Sequence, residues 1–306
     1  MKICSPLIPD SDQVALLKSF SIDEIKSRWL SDFSIDISEE ISGIKNIDLY
    51  LCSQTSLRFF VPLDATGSEK IYEQLEDFDW YYMPVKWEHD IAVKDLVGCT
   101  RILEIGCGKG AFVQRLQKNG FEVEGIEMNP KAVRYAQEQH IPVLLKSLKD
   151  LLKSEVPKFD AVCTFQVLEH VSDPHGFLKD IVDLVRKDGK IIIGVPNADS
   201  FLKYQFNVLD MPPHHMTQWS ASTFHYLEKI FPIKVVSVLS EPLSLIHANG
   251  YLMAYSQKWV ADYPVLKLIF NRLTLPSLMR LFRAAIRMGA GRFLVGQSLY
   301  VCFEKL

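Results

Sequence analysis

The residues best equipped for chemistry in this chain are three glycines at alternate positions, two carboxylates around them, and three histidines further on. Gly106, Gly108 and Gly110 lie in the stretch RILEIGCGKGAF, from Arg101 to Phe112. Glycine tolerates positive φ and lets a ligand approach bare backbone. An apolar run precedes them, and Phe112, Val113 and Leu116 follow at helical spacing, so the turn closes a strand and opens a helix. The first N–H groups of such a helix are unpaired and carry the positive dipole end, which suits a pyrophosphate or a carboxylate. Glu127 ends the next strand, where an acid can accept both hydroxyls of a ribose. Glu104 lies inside the first strand, just ahead of Gly106. A carboxylate there could balance a ligand's ammonium group, which a pyrophosphate lacks. GCGKGA also satisfies the G-x-G-x-x-A form of dinucleotide sites, so a nicotinamide oxidoreductase is the alternative by motif. Tyr82–Lys86 and Tyr263–Lys267 have the Tyr-x-x-x-Lys spacing of short-chain reductases. The first precedes the glycine turn and the second follows a proline beyond the sixth strand, so both read as coincidence.

The elements that must position these residues alternate. After RILEI and its helix, ended by Asn119-Gly120, come the strand FEVEGIE and a helix that starts at Asn129-Pro130 with Ala132, Val133 and Ala136 on one face. VLL is a third strand and FDAVCTF a fourth. Asp173-Pro174 opens a helix with the stripe Phe177, Leu178, Ile181, Val182, Val185; Gly189 is expected to end it before the fifth strand, KIIIGVP. A helix near Ala221–Lys229, a strand IKVVSVL and a last strand SLYVCFEK follow. Strands alternating with helices imply a parallel sheet covered on both faces.

LEIGCGKGAF closely resembles the first motif of the class I S-adenosylmethionine-dependent methyltransferases. GIEMNP resembles that family's second motif, FDAVCTFQVLEHVSDP its fourth-strand motif and KDGKIIIGVPN its fifth. The resemblance implies an α/β, Rossmann-like, doubly wound and mostly parallel sheet with an antiparallel last strand. It also implies S-adenosyl-L-methionine as cofactor, held by Glu104, Gly106, Cys107, Gly108, Gly110, Glu127, Met128, Phe165 and Gln166. The third strand lacks the aspartate often seen near the adenine, so Ser147 and Leu148 would serve there through backbone and packing.

In methyl transfer the cofactor brings the reactivity and the protein must hold a nucleophile in line. A hydroxyl nucleophile is helped by a base, and histidine titrates in the useful range. His170 follows the fourth strand in QVLEHV; His214 and His215 stand in MPPHHMTQWS after the fifth. His215, then His214, then His170 is the order of preference as base. Some quinone O-methyltransferases carry a metal-binding Glu-x-x-Glu-His at the place of QVLEH. Gln166 replaces the first carboxylate here, and no metal ligands are expected. The PPHH segment also resembles methyltransferases linked to sugar and polysaccharide modification.

Two domains are expected: residues 1–98, a mixed α+β region, and 99–306, the cofactor-binding domain, with a basic helical insertion at about 245–295. IDLYLC and LRFFVP read as strands, and the stretch from Glu69 to Val97 as helical with a break at Pro84. The region resembles a small zinc module in which Cys52 remains and Thr55 replaces a second cysteine, so it is read as metal-free. Tyr72, Tyr81, Tyr82 and Trp87 could line the pocket or form aromatic core. Between Ser256 and Gly296 stand Lys258, Lys267, Arg272, Arg280, Arg283, Arg287 and Arg292 against the single acid Asp262. Pro264 and Pro276 divide that stretch into two helices, the second with Leu278, Leu281, Phe282 and Ala285 on one face. A dimer surface, a lid or a peripheral membrane contact fits it.

The net charge of −3 over 306 residues argues against nucleic acid as a partner. Six scattered cysteines without a CxxC pair fit a reducing, cytoplasmic setting, and no signal or membrane segment is expected. The reading is an O-methyltransferase of a small molecule or glycan precursor. A non-catalytic scaffold that keeps the cofactor fold is the rival from another class.

Overall fold

The structure is a computed structural model that describes residues 3–78, 80–154, 156–263 and 275–306, the side chains at 275 and 276 aside. Its frame is a seven-stranded sheet of β4 (Arg101–Ile105), β5 (Glu122–Glu127), β6 (Val143–Leu145), β7 (Phe159–Phe165), β8 (Val185–Pro196), β10 (Ile233–Pro242) and β11 (Val295–Lys305). The strand order is β10-β11-β8-β7-β4-β5-β6; β11 runs antiparallel to both its neighbours and the other pairs are parallel. This is the doubly wound sheet with an antiparallel last strand that the motifs imply.

The period of two along each strand builds two cores. Leu103, Ile105, Val162, Ile191, Ile193, Val301 and Phe303 pack on one face, and Ile102, Ala161, Cys163, Ile192, Tyr300 and Cys302 on the other. Helices α4 (Ala111–Lys118), α5 (Pro130–Glu138), α6 (Leu148–Leu152) and α7 (Pro174–Leu184) are among the elements that cover them. Their starts are set by local chemistry: Asn129 accepts from the N–H of Lys131 and Ala132, and Asp173 from that of Gly176, each with proline at the first turn. Helix α7 ends at Leu184, and Val185 already belongs to β8. Gly189 therefore caps no helix. A Cβ there would stand 2.6 Å from Val185 Cγ1 and 2.8 Å from the Asp160 carbonyl, so glycine permits close packing.

A second sheet has the order β1-β2-β3-β9, from β1 (Val14–Ser21), β2 (Asn46–Cys52), β3 (Arg58–Val61) and β9 (Thr217–Gln218). The expected strands IDLYLC and LRFFVP are β2 and β3. β1 and the following α1 (Ile22–Phe33) add to the elements read from the sequence; β1 shows no alternation, with the five consecutive residues Ala15–Ser19 all exposed. The fourth strand, β9, comes from the connection between β8 and β10 of the large sheet and pairs Thr217 with Phe59. The expected helical stretch is α2 (Glu69–Leu75) and α3 (Trp87–Asp95), with a break far wider than Pro84 alone. Trp87 packs edge-on against Tyr300, in the core.

After β9 come α8 (Ala221–Tyr226) and β10. The insertion holds α9 (Ala248–Asp262) and α10 (Leu275–Arg287). Phe282 stacks on Tyr251 and Ile286 is buried, while Leu278 and Leu281 face outward. The expected apolar face is thus rotated, because α10 packs toward α9 through Phe282. Pro264, Lys267 and Arg272 lie outside the described residues. Among those described, no helix is long and apolar enough to cross a membrane.

Candidate active site

The carboxyl ends of β4, β5, β7 and β8 meet at one edge of the large sheet, where open parallel sheets bind ligands. Glu104, next to last in β4, is buried, and its Oε2 has no hydrogen-bond partner. Burial pushes its carboxyl up to about 8, against an ordinary 4.5; the positive charge of Lys86 pulls the other way. An orphaned buried carboxylate oxygen is costly unless a cation reaches it. This fits a ligand with an ammonium group.

Gly106, Gly108 and Gly110 all have positive φ, +69°, +53° and +77°. A Cβ at Gly106 would stand 2.4 Å from Val167 Cγ2, and one at Gly108 2.8 Å from the Tyr82 ring. At Gly110 it would meet Ile141 and Val143, so this third glycine serves the packing of α4 beside β6. Glu127 holds the turn together: Oε2 accepts from the N–H of Gly108 at 2.8 Å, and Oε1 from Met128 and Asn129 at 2.7 and 2.9 Å. A carboxylate offers about four lone-pair sites, so capacity remains for a sugar hydroxyl. The bare-backbone turn with Glu104 and Glu127 therefore fits an amino-acid and ribose ligand such as S-adenosylmethionine.

The other residues named from sequence divide. Cys107 and Phe165 lie in the core beneath the turn, Phe165 edge-on to Phe112. Met128 exposes its side chain. Ser147 caps α6 by accepting from the Asp150 N–H, and Leu148 packs into the core. Gln166 has φ +60°, a sparsely populated conformation for a residue with a Cβ. Its Nε2 donates to Glu88 Oε1 at 3.0 Å.

The three candidate base histidines converge, although His170 and the pair His214–His215 come from different segments. Ring centroids are 4.5 Å apart for His170–His214, 4.7 Å for His170–His215 and 4.5 Å for His214–His215. The Met216 N–H donates to the Glu169 carbonyl at 2.7 Å and ties the two segments together. Each ring is fixed through Nδ1. His170 donates to the His214 carbonyl at 2.6 Å, His214 to the Leu209 carbonyl at 2.8 Å, and His215 to Asp210 Oδ1 at 3.1 Å. Burial lowers all three from the ordinary 6.5. His170 and His215 reach about 3, and His214 falls well below its ordinary value, further depressed by the neighbouring imidazoles. Burial also raises Asp210 to about 7. Both partners are thus driven toward neutrality, and the His215–Asp210 contact is a hydrogen bond rather than an ion pair.

Glu169 is buried beside them with neither carboxylate oxygen partnered, and burial raises it to about 8. Tyrosines bridge the two halves of the site. Tyr82 lies over Gly108 and packs edge-on against Tyr81 at 5.1 Å, while Tyr81 and Tyr72 place their hydroxyls 3.4 Å from His214 Nε2 and His170 Nδ1. Of the four aromatics singled out in the sequence, these three line the site. A cavity of about 350 Å³ reaches Asp210 from the side of the small sheet, walled by Phe20, Arg58, Phe60, Tyr204 and Gln218.

Asp210, Glu88 and the unpartnered state of Glu169 escaped the sequence. An acid shortly before the paired histidines was the one available signal. The sequence also names no metal ligands, because His170 joins the adjacent pair His214–His215 only in space.

A family model described as a methyltransferase domain matches residues 50–241. Over 140 residues the chain is 30% identical to a ubiquinone biosynthesis O-methyltransferase of Xanthomonas oryzae pv. oryzae (strain PXO99A), covering 44% of this chain and 55% of that one. It is 33% identical over 115 residues to the protein of that name in Alkalilimnicola ehrlichii, covering 36% and 46%. The chain thus spans about half the length of the curated relatives it matches. Among solved structures, the plantazolicin methyltransferase BpumL in complex with SAH is similar at 15% identity, with a TM-score of 0.48 over 92% of this chain and 98% of that one.

Proposed function

The chain belongs to the class I S-adenosylmethionine-dependent methyltransferases, and from that premise we propose that it methylates a hydroxyl oxygen of a small molecule, sugar precursors included. The observation that carries the reading is the buried, unpartnered Glu104 oxygen beside the positive-φ glycine turn. The named activity of the Xanthomonas and Alkalilimnicola relatives supports oxygen as the atom methylated.

When bound, the sulfonium cofactor supplies an electrophilic methyl group. Glu104 balances its ammonium, the glycine turn admits its amino-acid end, and Glu127 accepts from its sugar. Ser147, Leu148, Met128, Phe165 and Gln166 frame the adenine side and the floor. Tyr72, Tyr81 and Tyr82 exclude water between cofactor and acceptor. His215, backed by Asp210, accepts a hydrogen bond from the acceptor hydroxyl and orients its lone pair, with His214 and His170 behind it. Because burial keeps these rings neutral and weakly basic, the site favours an acceptor whose hydroxyl gives up its proton readily, a phenol or catechol ahead of a sugar. The cavity at Asp210 supports an acceptor route from the small sheet.

Residues 1–98 then act as a cover for the site and 99–306 as the cofactor-binding unit. The enzyme works in the cytoplasm, which six free thiols support. The basic insertion serves a peripheral membrane or dimer contact. The test is calorimetric binding of S-adenosylmethionine and S-adenosylhomocysteine, followed by S-adenosylhomocysteine release on a panel of phenols, catechols and sugar nucleotides. Binding without release on every acceptor would favour a scaffold; preference for a nicotinamide dinucleotide would overturn the reading.

A further inference from the structure

One ring nitrogen from each of His170, His214 and His215 lies within 4.8 Å of the other two. His170 and His214 each direct Nδ1 at a backbone carbonyl, which can only accept, so Nδ1 carries the proton and Nε2 the lone pair. His215 directs Nδ1 at a carboxylate oxygen. Fixing one ring nitrogen on a carbonyl or carboxylate is how proteins orient a metal-binding imidazole. Three buried unprotonated rings facing each other gain little from their own contact. Next to them Glu169 is 1% exposed, with both oxygens lacking a partner. The constellation holds lone pairs and a carboxyl group with no partner on either oxygen; the Tyr81 hydroxyl, 3.4 Å from His214 Nε2, is a donor that an ion would displace there.

We infer that His170, His214 and His215 bind one divalent transition-metal ion, with Glu169 as the neighbouring counter-charge. Three imidazoles without sulfur match zinc or cobalt(II) and leave a coordination position open. Zinc–nitrogen bonds of about 2.0–2.1 Å imply nitrogens about 3.4 Å apart in a tetrahedral site. The rings would close in by roughly 1 Å, within the reach of side-chain adjustment. This ligand set differs from Glu-x-x-Glu-His: two of its three ligands come from the Pro-Pro-His-His loop, and Gln166, bonded to Glu88, takes no part. With an ion bound, the His215 lone pair is taken and the acceptor hydroxyl would face the open coordination position instead; the cofactor turn at Glu104 and Gly106 is unaffected, so the metal site and methyl transfer can be tested separately.

The experiment uses the untagged full chain, stripped by a chelator and titrated with Co²⁺ and Zn²⁺. The expected result is one tightly held ion per chain, intense visible Co²⁺ bands of low coordination number, and displacement of Co²⁺ by Zn²⁺. Replacing all three histidines with alanine should abolish stoichiometric uptake. Asp210→Asn, which weakens the anchor of His215, should lower zinc affinity about 10- to 100-fold while circular dichroism stays unchanged. Failure of the folded parent chain to retain an ion overturns the site, as does equal uptake by the triple variant. If the triple variant does not fold, unchanged affinity in Asp210→Asn overturns it instead. An ion held by a chain that transfers no methyl group would sink the proposed function and leave the metal site standing; methyl transfer by a chain that holds no ion would do the reverse.

Discussion

The glycine turn and the histidine cluster occupy the same edge of the sheet and are built on opposite plans. The turn is local: Gly106 to Gly110 are nearly contiguous, the Gly108 N–H donates to Glu127 while those of Gly106 and Gly110 donate to the Ile126 and Cys107 carbonyls, and one oxygen of Glu104 is left over. The cluster is assembled at a distance. His170 rides on the turn after β7, His214 and His215 on the loop before β9, and that loop is held by pairing of Thr217 with Phe59 of the N-terminal sheet. A local site needs only the right backbone and survives changes elsewhere. A distributed site depends on every element that holds its parts. The first suits a ligand shared across a family, and the second can vary with the acceptor.

The largest expected effect tests the local half. Gly106→Ala combines a positive φ with a 2.4 Å approach to Val167, and should abolish measurable cofactor binding. Strain at such a position costs about 1–3 kcal/mol, readable by chemical denaturation. Gly108→Ala meets only the movable edge of Tyr82 and should be milder. Equal losses in both variants would assign the effect to the positive φ they share and break the claim that the Val167 contact adds to it.

Next comes Glu104→Gln, which should weaken S-adenosylmethionine binding about 10- to 100-fold, the scale of a lost charge-assisted hydrogen bond. It also carries a pH signature. Burial raises the Glu104 carboxyl to about 8 from 4.5. The folded chain therefore holds a proton that the unfolded chain releases. The stabilising contribution is fully present below 4.5 and is lost as pH rises through about 8. Thermal unfolding of the ligand-free parent should occur at lower temperature as pH climbs through this window, and the glutamine variant should flatten the trend. Ligand affinity should move oppositely, rising with pH, since an ammonium partner requires the ionised carboxylate.

The distributed half is tested by His215→Ala. Turnover should fall about 100-fold or more, while calorimetry finds cofactor affinity little changed. Parallel losses in both would merge the two halves into one site. A smaller effect is expected from Thr217→Val, which removes the hydroxyl that reaches the Leu168 carbonyl at 3.4 Å and accepts from Trp219 Nε1 at 2.9 Å, and so loosens the histidine loop from the turn that carries His170. It should lower turnover and leave cofactor binding intact. Smallest of all, Arg280→Ala and Arg287→Ala, on the exposed side of α10, should change stability by no more than about 0.5 kcal/mol.

The two halves also differ in how readily they can be read from the chain. Glu104, the glycines and Glu127 declare themselves because strand, turn and helix follow one another along a short stretch, and the caps at Asn129 and Asp173 mark helix starts by local hydrogen bonds. The termination of α7 does not: Gly189 looks like a stop, yet the chain is already in β8, drawn there by pairing with β7. β1 is hidden for a similar reason, since its partner β2 lies beyond α1 and its own sequence shows no alternation.

The sequence by itself determined the alternation of strands and helices and the residues of the cofactor turn, because each depends on periodicity or on groups a few bonds apart; the antiparallel last strand was implied by the family resemblance and is fixed by pairing with β8 and β10. Only the tertiary structure decided that three histidines from two segments share one point, that Glu169 lies beside them without a partner, and that the N-terminal sheet closes on β9. Those outcomes depend on burial and on long-range strand pairing, whose energies arise once distant residues are packed together.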